Sequence, residues 1–576
     1  MFYVSAYFGK WILPGGSRAY LAASLMSICG VSAVWAASGA NQTSPLGINL
    51  EAVSNSSAEQ PFLDIFKTSS GWTPQTGSGQ ATGEEKYLDL DANGWPINLT
   101  AAREPSPQRF TQVSTLLLHD LPNTANGPYP AGRYIVRYLG EGTITYGGDS
   151  AKDTKRSRPG RDVIDVPTPT SGGGILITIT STDPRHTGNY IRNIQLVQAE
   201  QEDALRAGDA FNPVFLNLLK NFRVLRFMDW FNTNNSKLSS WSNRPLMTGA
   251  TWASSAGVPY EVALKLANAI SADAWLNIPV MADDNYISQL AILVHAQLGR
   301  SQRVYVELSN EVWNGSFSQW SYANSQGKAL WPGAGRHADY EGNWYGMRTA
   351  QSCDIWKSVW GSDSSRVVCV MGAQAANPRA AAEALDCKLW SGSPCAAHNI
   401  GAVAIAPYFA DHVPSAWASE HDGGLNMLFA SFTSRNDPSV PIGGWLGQAL
   451  SWVAAYSAVA AKYKLPLIAY EGGQSLVSYP DGVDADGAGS ALRRLYVAAN
   501  RDARMKAAYQ SYLQGWKARG GRLFVHFNDI FPPGQYGEWG ALESIMQTTA
   551  PLTSAPPKWQ ALENFISANP CWWPDC

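Results

Sequence analysis

Two rhythms of apolar and polar residues run along the chain, and they change over near residues 86 and 202. Between those points the apolar runs are short, alternating or β-branched: 87–90, 110–118, 132–139, 142–146, 161–166, 174–180 and 190–198. Turn residues separate them. Side chains alternate across a strand, so such runs read as half-buried strands, and their close spacing predicts an all-β sandwich. From residue 210 the rhythm is strand and then helix. Apolar runs at 222–230 (FRVLRFMDW), 274–281 (AWLNIPVM), 303–311 (RVYVELSNE), 366–372 (RVVCVMG), 402–409 (AVAIAPYF), 466–471 (PLIAYE) and 522–529 (RLFVHFND) read as strands. Helical periodicity occupies 262–270, 344–359, 446–463, 491–518 and 560–567. With 46–51 (LGINLE) as the first strand the count is eight, which predicts a parallel (β/α)8 barrel. The β-rich stretch falls between barrel strands one and two, so it reads as an insertion. The expected organisation is a targeting segment (1–36), the start of the barrel (37–85), an inserted β-sandwich that folds on its own (86–202) and the rest of the barrel (203–576).

Candidate chemistry sits at two strand ends. In 303–311, Val304, Val306 and Leu308 fall on one face, while Tyr305, Glu307, Ser309 and Glu311 fall on the other. Asn310 precedes Glu311, Trp313 follows it, and Gly315 breaks the run. A second unit of the same design, PLIAYEGGQS at 466–475, delivers Glu471 into a glycine turn. Barrel chemistry lies at the C-terminal ends of the strands. Two glutamates there suit glycosidic bond cleavage, one as acid and base, the other as nucleophile.

Asn310-Glu311 at the end of strand four, an aromatic just after it, and Glu471 at the end of strand seven resemble the clan A barrel glycoside hydrolases. The resemblance covers most of 210–570 and the first strand. It implies a retaining double displacement with Glu311 as acid/base and Glu471 as nucleophile. It further implies that Arg226 on strand two hydrogen-bonds the nucleophile, that Tyr408 on strand six touches the same carboxylate, and that Asn310 holds the substrate 2-hydroxyl. Glu307, four residues deeper than Glu311, is expected inside the barrel as a paired structural charge. Strand eight departs from the clan pattern. Where a floor Trp is usual it has Phe527-Asn528-Asp529, and Trp539 is the candidate replacement. Trp230, Phe231, Trp241, Tyr286, Trp313 and Trp320 lie in or near strand-end loops and are candidates for stacking on sugar rings. The two acids need opposed environments, since Glu311 must be protonated and Glu471 ionised at the working pH.

Composition narrows the partners. The net charge is -3 and charged residues make up 15%, against about 25% in ordinary domains. No electrostatic footprint for nucleic acid is present. Aromatics reach 11%, with 23 Trp, which suits uncharged sugar faces. P-loop, GxSxG and HExxH motifs are absent, and neither a metal nor an organic cofactor is expected. Asp89-Leu90-Asp91-Ala92-Asn93-Gly94 resembles the start of a calcium loop, but position twelve is Thr100, so it reads as a hairpin turn.

Lys10 and Arg18, the apolar run 20–36 and the small-residue site at Val34-Trp35-Ala36 read as a signal peptide. A retained anchor is the competing reading. Export implies a secreted or periplasmic protein with no stable membrane insertion once the segment is removed, and an oxidising compartment. Without Cys29 six cysteines remain; close spacing favours Cys387–Cys395 and Cys571–Cys576, leaving Cys353 with Cys369. The functional reading is an exported retaining glycoside hydrolase acting on a polysaccharide or oligosaccharide. The alternative is a non-catalytic carbohydrate-binding or adhesion protein on a barrel scaffold.

Overall fold

The computed structural model describes residues 41–99, 110–336, 338–411, 413–479, 490–574 and 576. The N-terminal segment with Cys29, and Thr100, lie outside them. Eight parallel strands close into a barrel: Leu46–Asn49, Val224–Arg226, Asp273–Ile278, Val304–Leu308, Val367–Ala373, Ile400–Ile405, Leu467–Ala469 and Gly521–His526. They follow one another in chain order, and the last pairs with the first (Ile48 opposite His526). All eight runs read from the sequence are present. Their residues are buried on both faces, which is why they appear as nearly continuous apolar runs.

Period two sorts each strand into inward and outward residues. Val224, Trp275, Tyr305, Val370, Ala402, Ala404, Ile468, Leu523 and Val525 form one apolar cluster that fills the interior. Two residues further along three of these strands the inward set turns polar, with Arg226, Asn277 and Glu307, and Asn49 pairs in register with Arg226. This polar layer carries the candidate site.

Helices fill the crossovers, among them Tyr260–Ile270, Tyr340–Trp360 and Gly444–Lys462. The helical pattern at 491–518 is two helices, Ala491–Arg501 and Arg504–Ala518. Asp502 causes the break. Its backbone is extended, and its carboxylate accepts from Arg504 N at 2.9 Å, which starts the next helix.

Between barrel strands one and two lie two four-stranded antiparallel sheets. One has the order Thr73–Gln75, Gln112–Leu117, Ile175–Thr182, Gly142–Gly148; the other Arg192–Gln198, Gly132–Leu139, Arg161–Val166, Ala151–Lys152. The first also takes Thr73–Gln75, upstream of residue 86. The described residues form one compact unit, and the sheets share a continuous apolar core with the barrel. Phe66 stacks on Trp95 at 5.4 Å, and Asp64 accepts from Leu196 N at 3.1 Å across that junction. Asp89–Leu90 and Pro96–Asn98 form the hairpin read from the sequence, with Asp91 accepting from Asn93 N and Trp95 N.

Cys387–Cys395 and Cys571–Cys576 are disulfides with Cα separations of 5.7 and 6.0 Å. The third expected bond is absent: Cys353 and Cys369 are buried free thiols, hydrogen-bonded to each other. The even cysteine count misled here, because packing a helix thiol against a strand thiol in the core requires no bond. Alkylation after unfolding without reductant is therefore expected to label Cys353 and Cys369 and to spare the other four; peptide mass spectrometry checks this.

Candidate active site

Strand four ends at Leu308, and the chain then makes a tight turn at the barrel mouth. Ser309 and Glu311 both take left-handed backbone, with φ of 60° and 43°. Non-glycine residues seldom adopt it, and it persists where the surrounding structure holds it. Asn310 between them is buried and accepts from Arg226 Nη2 at 2.8 Å. Asn234 and Gln319 fix its other groups: the Asn310 amide donates to Asn234 Oδ1 at 3.2 Å, and Gln319 donates to the Asn310 carbonyl at 2.8 Å.

Strand seven delivers Glu471 into Gly472-Gly473. A Cβ on Gly472 would lie 2.6 Å from the Phe524 ring and 2.9 Å from the Tyr512 hydroxyl, so only glycine fits this turn against strand eight. Glu471 receives Arg226 Nη1 on Oε1 at 2.6 Å and the Tyr408 hydroxyl on Oε2 at 3.0 Å. Both oxygens are thus aimed by fixed donors.

Arg226 is fully buried and is the hub of the polar layer. Besides Glu471 and Asn310 it donates to Asn49 at 2.9 Å and to Glu307 from Nε at 3.1 Å and Nη2 at 2.9 Å. Glu307 also accepts from Trp275 at 2.8 Å and Asn277 at 2.9 Å. It is a structural partner inside the barrel, as its position on the strand predicted. A buried guanidinium between two carboxylates is tolerated because every charge has a partner. Asn49 closes the layer by donating to the carbonyls of Tyr470 and His526 at 3.0 and 3.2 Å.

Glu311 has a different environment. It is partly exposed at the mouth and accepts from the Tyr470 hydroxyl at 2.9 Å and the Asn314 amide at 2.9 Å. Burial, and then the charge of Glu471, push its carboxyl up to about 7. Among the described residues no cation bonds it directly. One carboxylate is held by a guanidinium and the other is pushed towards its protonated form, which is the asymmetry an acid and a nucleophile require.

The rim is acidic. Glu51 and Asp229 are partly exposed at the ends of strands one and two, with buried Asp529 and Glu59 beside them. Burial raises all four carboxyls, and their mutual charge adds to it for Glu51, Glu59 and Asp229.

The aromatic candidates divide. Trp539 is half-buried and packs on the rings of Tyr408 (centroids 5.4 Å apart) and Phe527 (5.6 Å); Tyr408 is the residue whose hydroxyl bonds Glu471. Its backbone is held from below by buried Lys558, which donates to the carbonyls of Glu538 and Trp539. Trp313 is half-buried beside Glu311. Trp230 and Tyr286 are fully buried and do not line the mouth. Trp230 packs between Phe62 and Phe227, and Tyr286 bonds the Tyr260 hydroxyl at 3.0 Å, so both are core residues rather than sugar contacts. Asn49, Asn277 and Tyr470 were not singled out from the sequence. A polar residue inside an otherwise apolar strand was the available signal for the first two.

Among the described residues no group of His, Cys, Asp and Glu is arranged to hold a metal ion, and no helix is long and apolar enough to cross a membrane.

No protein-family model matches the chain, and no curated protein matches it. Similar solved structures include a Bacteroides ovatus GH5 xyloglucanase in complex with a XXXG heptasaccharide, 9% identical with a TM-score of 0.32 over 79% of this chain and 96% of that one. A GH5-4 broad specificity endoglucanase from Bacteroides salanitronis is 9% identical, TM-score 0.33, over 62% of this chain and 85% of that one. The catalytic core of xylanase A is 12% identical, TM-score 0.34, over 62% and 92%. Likeness of this order assigns no family; the (β/α)8 barrel stands on the strand pairing of this chain itself.

Proposed function

We propose that the chain is a retaining glycoside hydrolase of clan A type that cleaves a polysaccharide or oligosaccharide by double displacement. Glu311 is the acid/base, Glu471 the nucleophile, and Asn310 the contact to the sugar 2-hydroxyl. One observation carries the reading: the strand-seven carboxylate is gripped by Arg226 and Tyr408 while the strand-four carboxyl, at the same mouth and within reach of its charge, is pushed up to about 7. Trp539 supports it as a floor for the sugar ring beside Glu471. Export through segment 1–36 belongs to the same reading and is supported by the two disulfides.

A panel of neutral and charged polysaccharides assayed for released reducing ends tests the function; no release from any member counts against it. The titration of Glu311 gives a second expectation. The acid must carry its proton to assist the leaving group, so its contribution is present below its pKa and is lost as pH rises through it. The basic limb of kcat/KM is therefore expected near the raised value of about 7, well above an ordinary glutamate. A limb between pH 4 and 5 on a substrate with a poor leaving group would contradict the assigned acid.

A further inference from the structure

Two tyrosines at the barrel mouth have no part in the chemistry above. Tyr479 lies on the loop after strand seven and Tyr536 on the loop after strand eight. They are 56% and 61% exposed, the only aromatic side chains among the described residues that are more than half exposed. Their rings lie against each other, centroids 5.4 Å apart and planes 34° apart. Single exposed apolar residues need no explanation, but a contiguous exposed patch marks a contact surface.

The pair is held in place by backbone. Tyr479 N donates to the Gln535 carbonyl at 2.9 Å, which ties the two loops together. Gly534 and Gly537 exchange hydrogen bonds at 3.3 and 3.2 Å and hold Tyr536 on a tight turn. Gly537 has φ of 138°, and a Cβ there would lie 2.3 Å from the Trp539 ring. The glycine therefore lets Trp539 fold back under the turn, where its indole N–H donates to the Tyr536 carbonyl at 2.9 Å. The exposed pair is thereby tied to the catalytic mouth by one ring contact and one hydrogen bond to backbone. Tyr408 bonds the Glu471 carboxylate, its ring packs on Trp539, and the Trp539 indole holds the backbone of Tyr536, whose ring lies against Tyr479.

We propose that Tyr479 and Tyr536 form an outer subsite that stacks a further sugar ring of a neutral glycan chain, on the glycone side of the bond that is cut. The proposal rests on the assigned roles of Glu471 and Glu311. Glu471 attacks the sugar that is retained, and the tyrosines lie on the strands seven and eight side with it, whereas Glu311 lies on strand four with the leaving group. Aromatic rings suit the apolar C–H face of a pyranose, and the tyrosine hydroxyls remain available to its hydroxyls. The substrate is then a chain of several sugars, and the catalytic centre fills only part of its binding length.

The test is affinity electrophoresis of the full chain, carrying Glu471→Gln to prevent hydrolysis, in gels containing hydroxyethyl cellulose, xylan, xyloglucan or glucomannan. At least one polysaccharide is expected to retard the protein. Adding Tyr479→Ala and Tyr536→Ala together is expected to weaken that retardation about 10-fold, from two lost stacking contacts, with each single replacement in between. In the otherwise native chain, the ratio of kcat/KM for a long chain to that for an aryl disaccharide should fall by a similar factor. No retardation in any gel overturns the proposal, as does retardation unchanged by the double replacement. The proposed function fails separately, when the enzyme with Glu471 and both tyrosines intact releases no reducing ends from any polysaccharide.

Discussion

Alanine at Glu471 is expected to lower turnover by roughly 10^5-fold or more on every substrate, whatever its leaving group. The reason is specific to a nucleophile: without it no glycosyl-enzyme forms, and a better leaving group cannot substitute for the missing bond. The vacated space is bounded by Arg226 Nη1 and the Tyr408 hydroxyl, which held the two carboxylate oxygens at 2.6 and 3.0 Å. A small anion fits between such donors. Azide is therefore expected to restore cleavage of an activated aryl glycoside by direct attack, giving the glycosyl azide of inverted configuration. Loss of stability must be separated from loss of chemistry, because removing one partner of a buried ion pair costs about 3–5 kcal/mol when the other charge is left alone. Arg226 keeps Glu307 and Asn49, so the loss should be smaller than that. Glu471→Gln, which retains the shape and a hydrogen-bond acceptor, is the control. It should melt near the native protein and be as inactive as the alanine variant. Turnover close to native in either variant would remove Glu471 from the mechanism.

The parts of this molecule legible in its sequence are those governed by local pattern. Each barrel strand is an apolar run bounded by a turn, because a parallel strand buried on both faces has no polar side to show. The antiparallel strands showed through alternation for the complementary reason. Thr73–Gln75 was not legible: three residues with a central proline carry no period, and only pairing with Gln112–Leu117 makes them a strand. Asp502 hid a helix break within a good helical pattern, because a capping carboxylate and an ordinary exposed acid look alike in one dimension. At the site, Glu311 and Glu471 were legible as strand-end carboxylates. Arg226, Asn310 and Tyr408 came from the family resemblance; Arg226 and Tyr408 bond Glu471, and Arg226 bonds Asn310. Asn234 and Tyr470 were not legible, since their partners lie 76 and 159 residues away in the chain; Gln319 was not legible because it joins Asn310 to Asn234, 85 residues away. Trp230 and Tyr286 went the other way. Position near a strand end does not fix the direction of a side chain, and both turn into the core.

Replacing Glu311 by alanine should fail in a different manner. The general acid contributes about 10²–10⁴-fold where the departing oxygen needs a proton. A dinitrophenolate needs none, so glycosylation of Glu471 should proceed at near its normal rate with a dinitrophenyl glycoside and stop at the next step, where Glu311 ought to deprotonate water. A burst of dinitrophenolate equal to the enzyme concentration, then slow turnover, is the expected trace. Azide needs no deprotonation, so it should relieve the stall and give the glycosyl azide of retained configuration. The basic limb of the native pH profile, set by a carboxyl raised to about 7, should vanish with the group that causes it. The alanine also removes the acceptor of the Tyr470 and Asn314 hydrogen bonds, both at the mouth, where water can replace it. The fold should therefore tolerate the change. Proton NMR of the two azide products decides the assignment. Retention from Glu311→Ala with inversion from Glu471→Ala fixes the roles as proposed; the opposite pairing exchanges them. Full hydrolysis of a substrate with a poor leaving group by Glu311→Ala would leave the strand-four acid without a catalytic role.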